Sequence, residues 1–168
     1  VNGELLADED ITRAAVAKTT FYGIYKGASE VPAEIVSDKF PCVYDDLLNP
    51  ETYYERAAKA LLYLDYGDGV TPFDRDRLNF DALGTIKRVH MLKVLIEAFN
   101  LKNYGDNGEN PFPNDPDVVS IAETNPRLMK YIRDAAMLGF ITTANERFRP
   151  YDNCTRGEAF MMLYRIMR

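Results

Sequence analysis

The pentapeptide Cys154-Thr155-Arg156-Gly157-Glu158 decides the fold, because Ile11-Thr12-Arg13-Ala14-Ala15 and Ile86-Lys87-Arg88-Val89-His90 repeat its pattern. Each stretch opens an amphipathic helical segment, and the three central arginines stand 75 and 68 residues apart. Internal self-similarity of this kind is typical of repeat architectures, in which each unit packs on its neighbours. The chain is therefore predicted to consist of repeated helical units.

The residues around each arginine repeat as well. An apolar residue lies eight positions before each arginine, at Leu5, Phe80 and Phe148. Apolar residues also recur four, eight and eleven positions after it, which places them on one helix face. These residues are Ala17, Phe21 and Ile24, then Leu92, Ile96 and Phe99, then Phe160, Tyr164 and Met167. We expect this face to be buried in all three copies.

A pattern upstream of the motif occurs twice, as Phe40-Pro41-Cys42-Val43-Tyr44-Asp45 and as Phe112-Pro113-Asn114-Asp115. Each copy precedes a helical run that is closed by a glycine, Gly67 in the first case and Gly139 in the second. Later come Gly139-Phe140-Ile141, Phe148-Arg149-Pro150 and the motif at Thr155. This order resembles the S-layer homology domain, whose repeats read approximately Phe-x-Asp-Val, a first helix, Gly-Ile-Ile, Asp-Gly-x-Phe-x-Pro and Ile-Thr-Arg-Ala-Glu.

The resemblance implies one domain over residues 1–168, with the closing half of a first repeat at 1–30, a second repeat at 40–101 and a third at 111–168. The implied fold is all-α, with tandem helical repeats in a pseudo-threefold arrangement and long irregular connecting loops. Such a chain supplies three second helices but only two first helices. We expect residues upstream of Val1, another subunit or rearranged packing of residues 27–50 to fill the gap.

Helix-start and helix-stop signals predict five main helices. Asn49-Pro50 and Asn125-Pro126 are typical helix starts, with asparagine at the cap and proline at the first position. Glycine and proline are frequent between residues 102 and 125, which predicts a long loop there. The helix starts are therefore expected near residues 10, 50, 85, 125 and 155.

Composition limits the function classes. The 168 residues carry 46% apolar side chains and a net charge of −6, which suits a folded domain and does not suggest nucleic-acid binding. No apolar stretch is long enough to span a bilayer, and no signal-peptide pattern is present. Cys42 and Cys154 define no disulfide framework, although they could pair, and a single histidine without Cys-x-x-Cys spacing predicts no metal and no cofactor.

Helix capping explains part of the repeated motif. Thr155 is a good N-cap, and Glu158 three residues later completes a capping box. Thr12 fits the same cap. In the second copy Lys87 replaces the threonine, so Thr85 or Asp81 is expected to cap that helix instead.

The arginines need another explanation, because a cation in the first turn of a helix opposes the macrodipole. One explanation is an internal carboxylate across the repeat boundary, with Asp45, Asp46, Asp115 and Asp117 as candidates. The other is an external anion held by the guanidinium and the free amides of the helix start. The resemblance implies the second explanation, because the corresponding arginine in that family lies in a groove between repeats and contacts cell-wall glycan. The candidate ligand-binding residues are Thr12, Arg13, Lys87, Arg88, Thr155, Arg156 and Glu158.

The function that the resemblance implies is a non-catalytic module that anchors a surface protein to the bacterial cell envelope. It would bind cell-wall polysaccharide, such as a pyruvylated polymer or peptidoglycan, through the grooves between repeats. The alternative is a protein–protein or homo-oligomer assembly module, which the altered second motif and the absence of tryptophan favour. A glycan hydrolase is a third hypothesis. No catalytic residues are predicted, because no carboxylate pair is placed on strong scaffold elements.

Overall fold

A computed structural model describes residues 6–25, 44–47, 53–76, 78–102, 108–144 and 146–168. Within these ranges the fold is all-α, and the only β-type pairing consists of isolated bridges. The helices are α1 (Arg13–Tyr25), α2 (Tyr53–Tyr63), α3 (Arg88–Ala98), α4 (Pro116–Thr124), α5 (Pro126–Met137) and α6 (Arg156–Ile166), with a short 3-10 turn at Asp45–Leu47. None of these helices is long and apolar enough to cross a membrane.

The helix starts follow the capping signals in part. Asn125 caps α5 by accepting from the Leu128 amide, and Thr155 and Glu158 form the predicted capping box on α6. Lys87 occupies the N-cap of α3 and its side chain caps nothing, so the expectation of Thr85 or Asp81 was wrong. The Asn49-Pro50 start lies outside the described residues.

Helix α4 corrects the predicted long loop over residues 102–125. Pro116 stands at the first helical position, where its missing N–H costs no hydrogen bond. Asp115 caps the helix by accepting from the Asp117 amide at 3.0 Å. The prolines were interpreted as loop residues, but here proline marks a helix start.

The helices pack in a consistent order. Helix α1 packs mainly on α2, α3 packs mainly on α5, and α4 lies against α5. Helix α1 also contacts α3 and α6. The buried core runs through these contacts and includes Phe21, Leu61, Leu92 and Ile132. The helix after the first motif is therefore covered by α2, and the helix after the second motif is covered by α5.

The three motif segments close into a ring. Antiparallel bridges join Asp10 to Thr155, Thr12 to Thr85 and Lys87 to Asn153. The bridges of Thr85 and Asn153 fall five residues after Phe80 and Phe148. Each motif arginine donates its backbone N–H to the carbonyl four residues before the next arginine. The three bonds run from Arg13 to Gly84 at 2.8 Å, from Arg88 to Asp152 at 3.0 Å and from Arg156 to Glu9 at 2.8 Å.

The same ring repeats an uncommon backbone conformation. Leu6, Asp81 and Arg149 each stand seven residues before a motif arginine, and their φ angles are 47°, 57° and 54°. Each of their carbonyls accepts from the amide three residues later, at 3.0, 3.0 and 3.2 Å. The left-handed conformation is unfavourable for a side chain with Cβ. The turn before each motif segment therefore contains local backbone strain, at the residue seven positions before the arginine.

The predicted buried face exists in two copies and fails in the third. Phe21 on α1 and Ile96 on α3 are 3% and 0% exposed, as expected. At the matching position on α6, Tyr164 is 55% exposed, and Met167 is 59% exposed. The difference arises because α2 covers α1 and α5 covers α3, whereas α6 has only a small contact with α1 among the described elements.

Candidate functional site

Two motif arginines contact the loop before the next motif through their side chains. Arg88 donates from Nε to the Phe148 carbonyl at 2.8 Å, and its guanidinium carbon lies 5.0 Å from the centre of the Phe148 ring. Arg13 makes the same pair of contacts with Phe80, at 2.5 and 5.1 Å. The carbonyl and ring both attract a cation, which offsets the unfavourable position at the helix start. The third counterpart, Leu5, lies outside the described residues.

The amides at the helix starts are already used. The first amide of each motif helix donates within the ring, as described above. The second amides do the same, from Ala14 to Ala82, from Val89 to Pro150 and from Gly157 to Ala7. A bound anion would therefore depend on the guanidinium and other side chains. The expectation that free amides help to hold it was wrong for these positions.

An internal carboxylate does pair with Arg88, but it is not one of the four predicted aspartates. Arg88 Nη1 forms an ion pair with Glu158 Oε1, while Glu158 Oε2 accepts from the Thr155 amide at 3.1 Å. Arg88 thereby reaches the capping box of the next motif. The side chains of Arg88 and Glu158 are 12% and 30% exposed, so solvent screens the pair only partly.

Asp46 and Asp115 bind backbone amides and do not pair with a motif arginine in the described contacts. The Asp46 carboxylate accepts from the amides of Phe80 and Asp81, at 2.7 and 2.6 Å. Asp115 accepts in the same way from Phe148 and Arg149, both at 2.8 Å. Each aspartate thus fixes the left-handed turn that presents an aromatic residue to an arginine.

A groove lies beside the Arg88–Glu158 pair, and we call it groove A. Its volume is about 460 Å³. The lining combines arginines, acidic groups and apolar side chains: Ala7, Asp8, Arg88, Phe140, Ile141, Thr142, Arg147, Phe148, Thr155, Gly157, Glu158, Met161, Met162 and Arg165. Arg165 donates to the Phe140 carbonyl at 2.9 Å, which holds its guanidinium at the groove wall. Three guanidinium groups and two carboxylates give groove A a net positive lining.

A second, smaller groove occupies the matching place beside Arg13, and we call it groove B. Its volume is about 40 Å³. It is lined by Arg13, Pro72, Phe73, Asp74, Ile86, His90, Lys93 and Val94. Counted from the motif arginines, seven of these positions match lining residues of groove A: Arg88, Phe140, Ile141, Thr142, Glu158, Met161 and Met162. The two grooves are therefore counterparts with different side chains.

The side chains explain why groove B is narrow. Lys93 forms an ion pair with Asp74 across it, where groove A has Met161 and Thr142. Phe73 replaces Ile141, and its ring centre lies 5.3 Å from the Arg13 guanidinium carbon. His90 stands where groove A has the carboxylate of Glu158. An ion pair and an aromatic ring thus fill the space that groove A leaves open.

The predicted site residues divide between these places. Arg88, Thr155 and Glu158 line groove A, and Arg13 lines groove B. Three others line neither groove. Thr12 accepts from the Ala15 amide at 3.3 Å as a cap, Lys87 donates from Nζ to Asn153 Oδ1 at 2.8 Å, and Arg156 is half-buried beside the ring. The contacts of Thr12 and Lys87 are structural, and the Arg156 amide donates to Glu9 within the ring.

Sequence reasoning predicted three lining residues of groove A and missed the rest, including Ile141, Arg147, Met161 and Arg165. Ile141 was noted only as part of a repeat pattern. The matching positions Lys93 and Asp74 could have signalled the difference between the grooves, because their opposite charges allow a pair that Met161 and Thr142 cannot form. Lys93 and Asp74 could be recognised as a pair only when the structure showed that this helix and this loop are in contact.

Glu158 lines groove A, but its contacts do not suit a catalytic role in glycan hydrolysis. Both oxygens of Glu158 are engaged, one by Arg88 and one by the Thr155 amide. A glycosidase needs one carboxyl group to give a proton to the leaving oxygen and a second to act as nucleophile or base. Asp8 is the other carboxylate in the lining. Among the described residues, no group of three or more His, Cys, Asp or Glu side chains could hold a metal ion.

Cys154 lies in the ring itself and is fully buried with a free thiol. Burial raises the pKa of this thiol to about 12, and the nearby Glu158 carboxylate acts in the same direction. A thiol with such a pKa is a poor nucleophile at neutral pH. Cys154 therefore acts as a small packing residue, while Cys42 lies outside the described residues.

A buried polar cluster on the other side of α3 is structural. Tyr131 donates to Glu97 at 2.5 Å, and Lys102 lies 2.6 Å from Glu97 and 2.9 Å from Asp68. Burial alone would lower the pKa of Lys102, but its bonds to Glu97 and Asp68 raise it. The side chain of Glu97 is 2% exposed. The cluster thus neutralises a buried carboxylate between α3 and α5.

No protein-family model matches the chain, and no curated protein matches it either. The resemblance to S-layer homology domains therefore rests on the repeated residues themselves.

Proposed function

We propose that the chain is a non-catalytic module of the bacterial cell envelope that binds an acidic cell-wall glycan in groove A. The single observation that carries this proposal is an open groove of about 460 Å³ with three arginines around an apolar floor. Guanidinium groups bind carboxylates through paired hydrogen bonds, and apolar side chains cover the C–H faces of a sugar ring. Pyruvylated polymers and peptidoglycan both offer carboxylates next to sugar rings.

The arginines of groove A are suited to binding because two of them are already oriented. Arg88 is fixed by Phe148 and Glu158, and Arg165 is fixed by the Phe140 carbonyl. Binding to an oriented side chain loses less conformational freedom than binding to a mobile one. Arg147 is exposed and supplies a third charge at the rim. We assign specificity to the oriented pair and part of the affinity to Arg147.

Groove B contributes little to this function, since its ion pair and ring leave about 40 Å³. Of the two grooves beside motif arginines, groove A is therefore the one with room for a glycan. Strong attachment to a wall would come from several copies that act together, because linked weak sites bind with high avidity. An anchoring role is compatible with weak binding at one groove.

Co-sedimentation with purified cell-wall sacculi tests this function. The Arg147→Ala variant removes a groove charge without touching the ring, and Arg149→Ala is the matched control, an exposed arginine outside groove A. We expect Arg147→Ala to weaken binding about tenfold and Arg149→Ala to leave it unchanged. Circular dichroism verifies that both variants keep their helices. Absence of sedimentation with peptidoglycan and with pyruvylated walls would refute the proposal, as would equal binding by both variants.

The alternative, an assembly module that binds protein, is favoured by a separate observation. Tyr164 and Met167 on α6 are exposed, whereas the matching residues of α1 and α3 are buried at the first position and partly buried at the second. Neither of these two residues lines groove A. Both functions are therefore compatible within one chain.

A further inference from the structure

Gly157, the second residue of α6, lacks the side chain that the equivalent residues of the other two motifs carry. The residue after the motif arginine is Ala14 in the first copy, Val89 in the second and Gly157 in the third. Glycine is less favourable than alanine within a helix, because it loses more conformational freedom on folding. The capping box accounts for Thr155 and Glu158 but gives no reason for a glycine between them. The reason for Gly157 must therefore lie in its surroundings.

The segment before the first motif lies directly against Gly157. The Gly157 amide donates to the Ala7 carbonyl at 2.9 Å, and the Arg156 amide donates to Glu9 at 2.8 Å. A Cβ atom at position 157 would lie 3.1 Å from both the Cβ and the carbonyl oxygen of Ala7. Carbon atoms pack favourably at about 3.5–4.0 Å, so a side chain fits here only if the segment moves away. The glycine thus allows residues 6–9 to lie on the start of α6.

The other two junctions of the ring make the same backbone bond with a side chain present. The Ala14 amide donates to Ala82 at 3.0 Å, and the Val89 amide donates to Pro150 at 3.1 Å. Ala14 and Val89 are both buried. The ring can therefore accommodate a side chain at this position, and its absence at Gly157 is particular to the junction that borders groove A.

The glycine also changes the shape of the groove. Gly157 lines groove A together with Ala7 and Asp8. Their three counterparts do not line groove B: Val89, Pro150 and Tyr151. Groove A thus extends across the glycine to a wall of residues 7 and 8, which groove B lacks. Both wall residues are exposed, so their position depends on the contact with α6 and not on burial in the core.

We propose that Gly157 is a specificity-determining residue of groove A, because its missing side chain allows residues 7 and 8 to form a wall of the groove. This inference rests on the proposed function, since it concerns the same groove and the same glycan. A side chain at position 157 displaces the wall, and the glycan then loses its contacts with Ala7 and Asp8. Groove A would come to resemble groove B on this side.

A series of side chains at position 157 tests the inference by co-sedimentation with the same sacculi. We expect Gly157→Ala to weaken binding about threefold, and Gly157→Val, which copies Val89, to weaken it about tenfold or more. Alanine favours a helix more than glycine does, so Gly157→Ala should keep its helicity in circular dichroism while it loses affinity. Ser120→Val is the matched control, because it places a valine at an exposed position of α4 outside groove A.

Compensation by Ala7→Gly distinguishes a displaced wall from a general loss of stability. This substitution removes one of the two atoms at 3.1 Å, so Gly157→Ala with Ala7→Gly should bind more tightly than Gly157→Ala alone. Ala7→Gly by itself should bind no more tightly than the parent chain. Such coupling between two substitutions is expected for residues in contact.

Hydrogen exchange followed by NMR reports the position of the wall without any ligand. The Arg156 amide donates across this junction to Glu9, and the Arg88 amide donates across another junction to Asp152. In Gly157→Val we expect the Arg156 amide to exchange at least about five times faster than in the parent chain. The Arg88 amide should exchange at the same rate in both.

Three results would overturn this inference and leave the proposed function intact. The first is equal binding by the parent chain and Gly157→Val while Arg147→Ala weakens binding, since the groove would then bind glycan without the wall. The second is unchanged exchange of the Arg156 amide in Gly157→Val, since the segment would then not have moved. The third is an equal loss of binding in Ser120→Val. Absence of sedimentation by the parent chain would overturn both the inference and the proposed function.

Discussion

Arg88 and Phe148 are 60 residues apart, yet the guanidinium of the first both donates to the carbonyl of the second and lies 5.0 Å from the centre of its ring. Arg13 and Phe80 reproduce this relationship over 67 residues. One side chain thus satisfies a loop carbonyl and packs on an aromatic ring at each described junction. Each of these arginines therefore joins its own helix to the loop before the next motif.

Replacement of Arg88 should therefore reduce stability as well as binding. Arg88→Ala leaves Glu158 without its cation and the Phe148 carbonyl without its donor, and we expect a loss of about 2–4 kcal/mol in the free energy of unfolding. Arg88→Lys keeps the charge but cannot reach both partners, so it should recover less than half of that loss. Urea denaturation measures both variants.

Lys87→Ala is the control for this prediction. Lys87 is adjacent to Arg88 but exposed, and its bond to Asn153 should contribute less than about 0.5 kcal/mol. A stability loss for Arg88→Ala no larger than that for Lys87→Ala would mean that the junction contacts do not support the ring.

The unequal burial of matching positions leads to a second prediction. Phe21→Ala opens a cavity between α1 and α2 and should cost about 3–5 kcal/mol. Tyr164→Ala removes a ring that is 55% exposed, so it should cost less than about 1 kcal/mol. Thermal and urea unfolding of the two variants compare the positions directly. A similar large loss in both would show that the face of α6 is covered in solution.

The sequence was sufficient for the features that depend on local pattern. The spacing of the arginines predicted three equivalent helix starts, and the capping box of Thr155 and Glu158 followed from residue type alone. Burial was predicted well where a partner helix exists, as at Phe21 and Ile96. The periodicity of α6 looked the same, and no residue within that helix could reveal that none of the described helices covers it as α2 covers α1.

Features that depend on contacts between distant residues could not be predicted from the sequence. Helix α4 was missed because proline at its first position has the same local signal as proline in a loop. The closing of groove B depends on Lys93 meeting Asp74, which are 19 residues apart. One explanation of the arginines was an internal aspartate, but Asp46 and Asp115 bind loop amides, and Glu158 is the carboxylate that pairs with Arg88.

The buried thiol should make stability depend on alkaline pH. The pKa of Cys154 is raised to about 12 in the folded state, whereas an unfolded thiol releases its proton near pH 8.5 to 9. Above that pH the unfolded state binds fewer protons than the folded state, so stability falls as pH rises from about 9 to 12. The raised pKa values of Tyr131 and Lys102 act in the same direction at higher pH.

Measurement in a Cys42→Ala background isolates this thiol. Urea unfolding between pH 7 and 11 should give a steeper decline for that chain than for Cys42→Ala with Cys154→Ala, by up to about 1.4 kcal/mol per pH unit above the unfolded pKa. Labelling of Cys154 by a thiol reagent at pH 8 should be much slower than in urea. Fast labelling of the folded chain would contradict the burial of this side chain.

The strained turn gives a final prediction, because Arg149 has a φ of 54° in a position that favours glycine. Arg149→Gly should unfold at a higher urea concentration than Arg149→Ala, with a difference of about 1 kcal/mol, since alanine keeps the strain and glycine relieves it. Both variants lose the exposed ion pair with Asp152, which contributes little, and both keep the amide that donates to Asp115. The same comparison at Glu146, which lies outside this turn, should favour alanine or show no difference. If alanine were also the better residue at position 149, the left-handed turn would not be a source of strain.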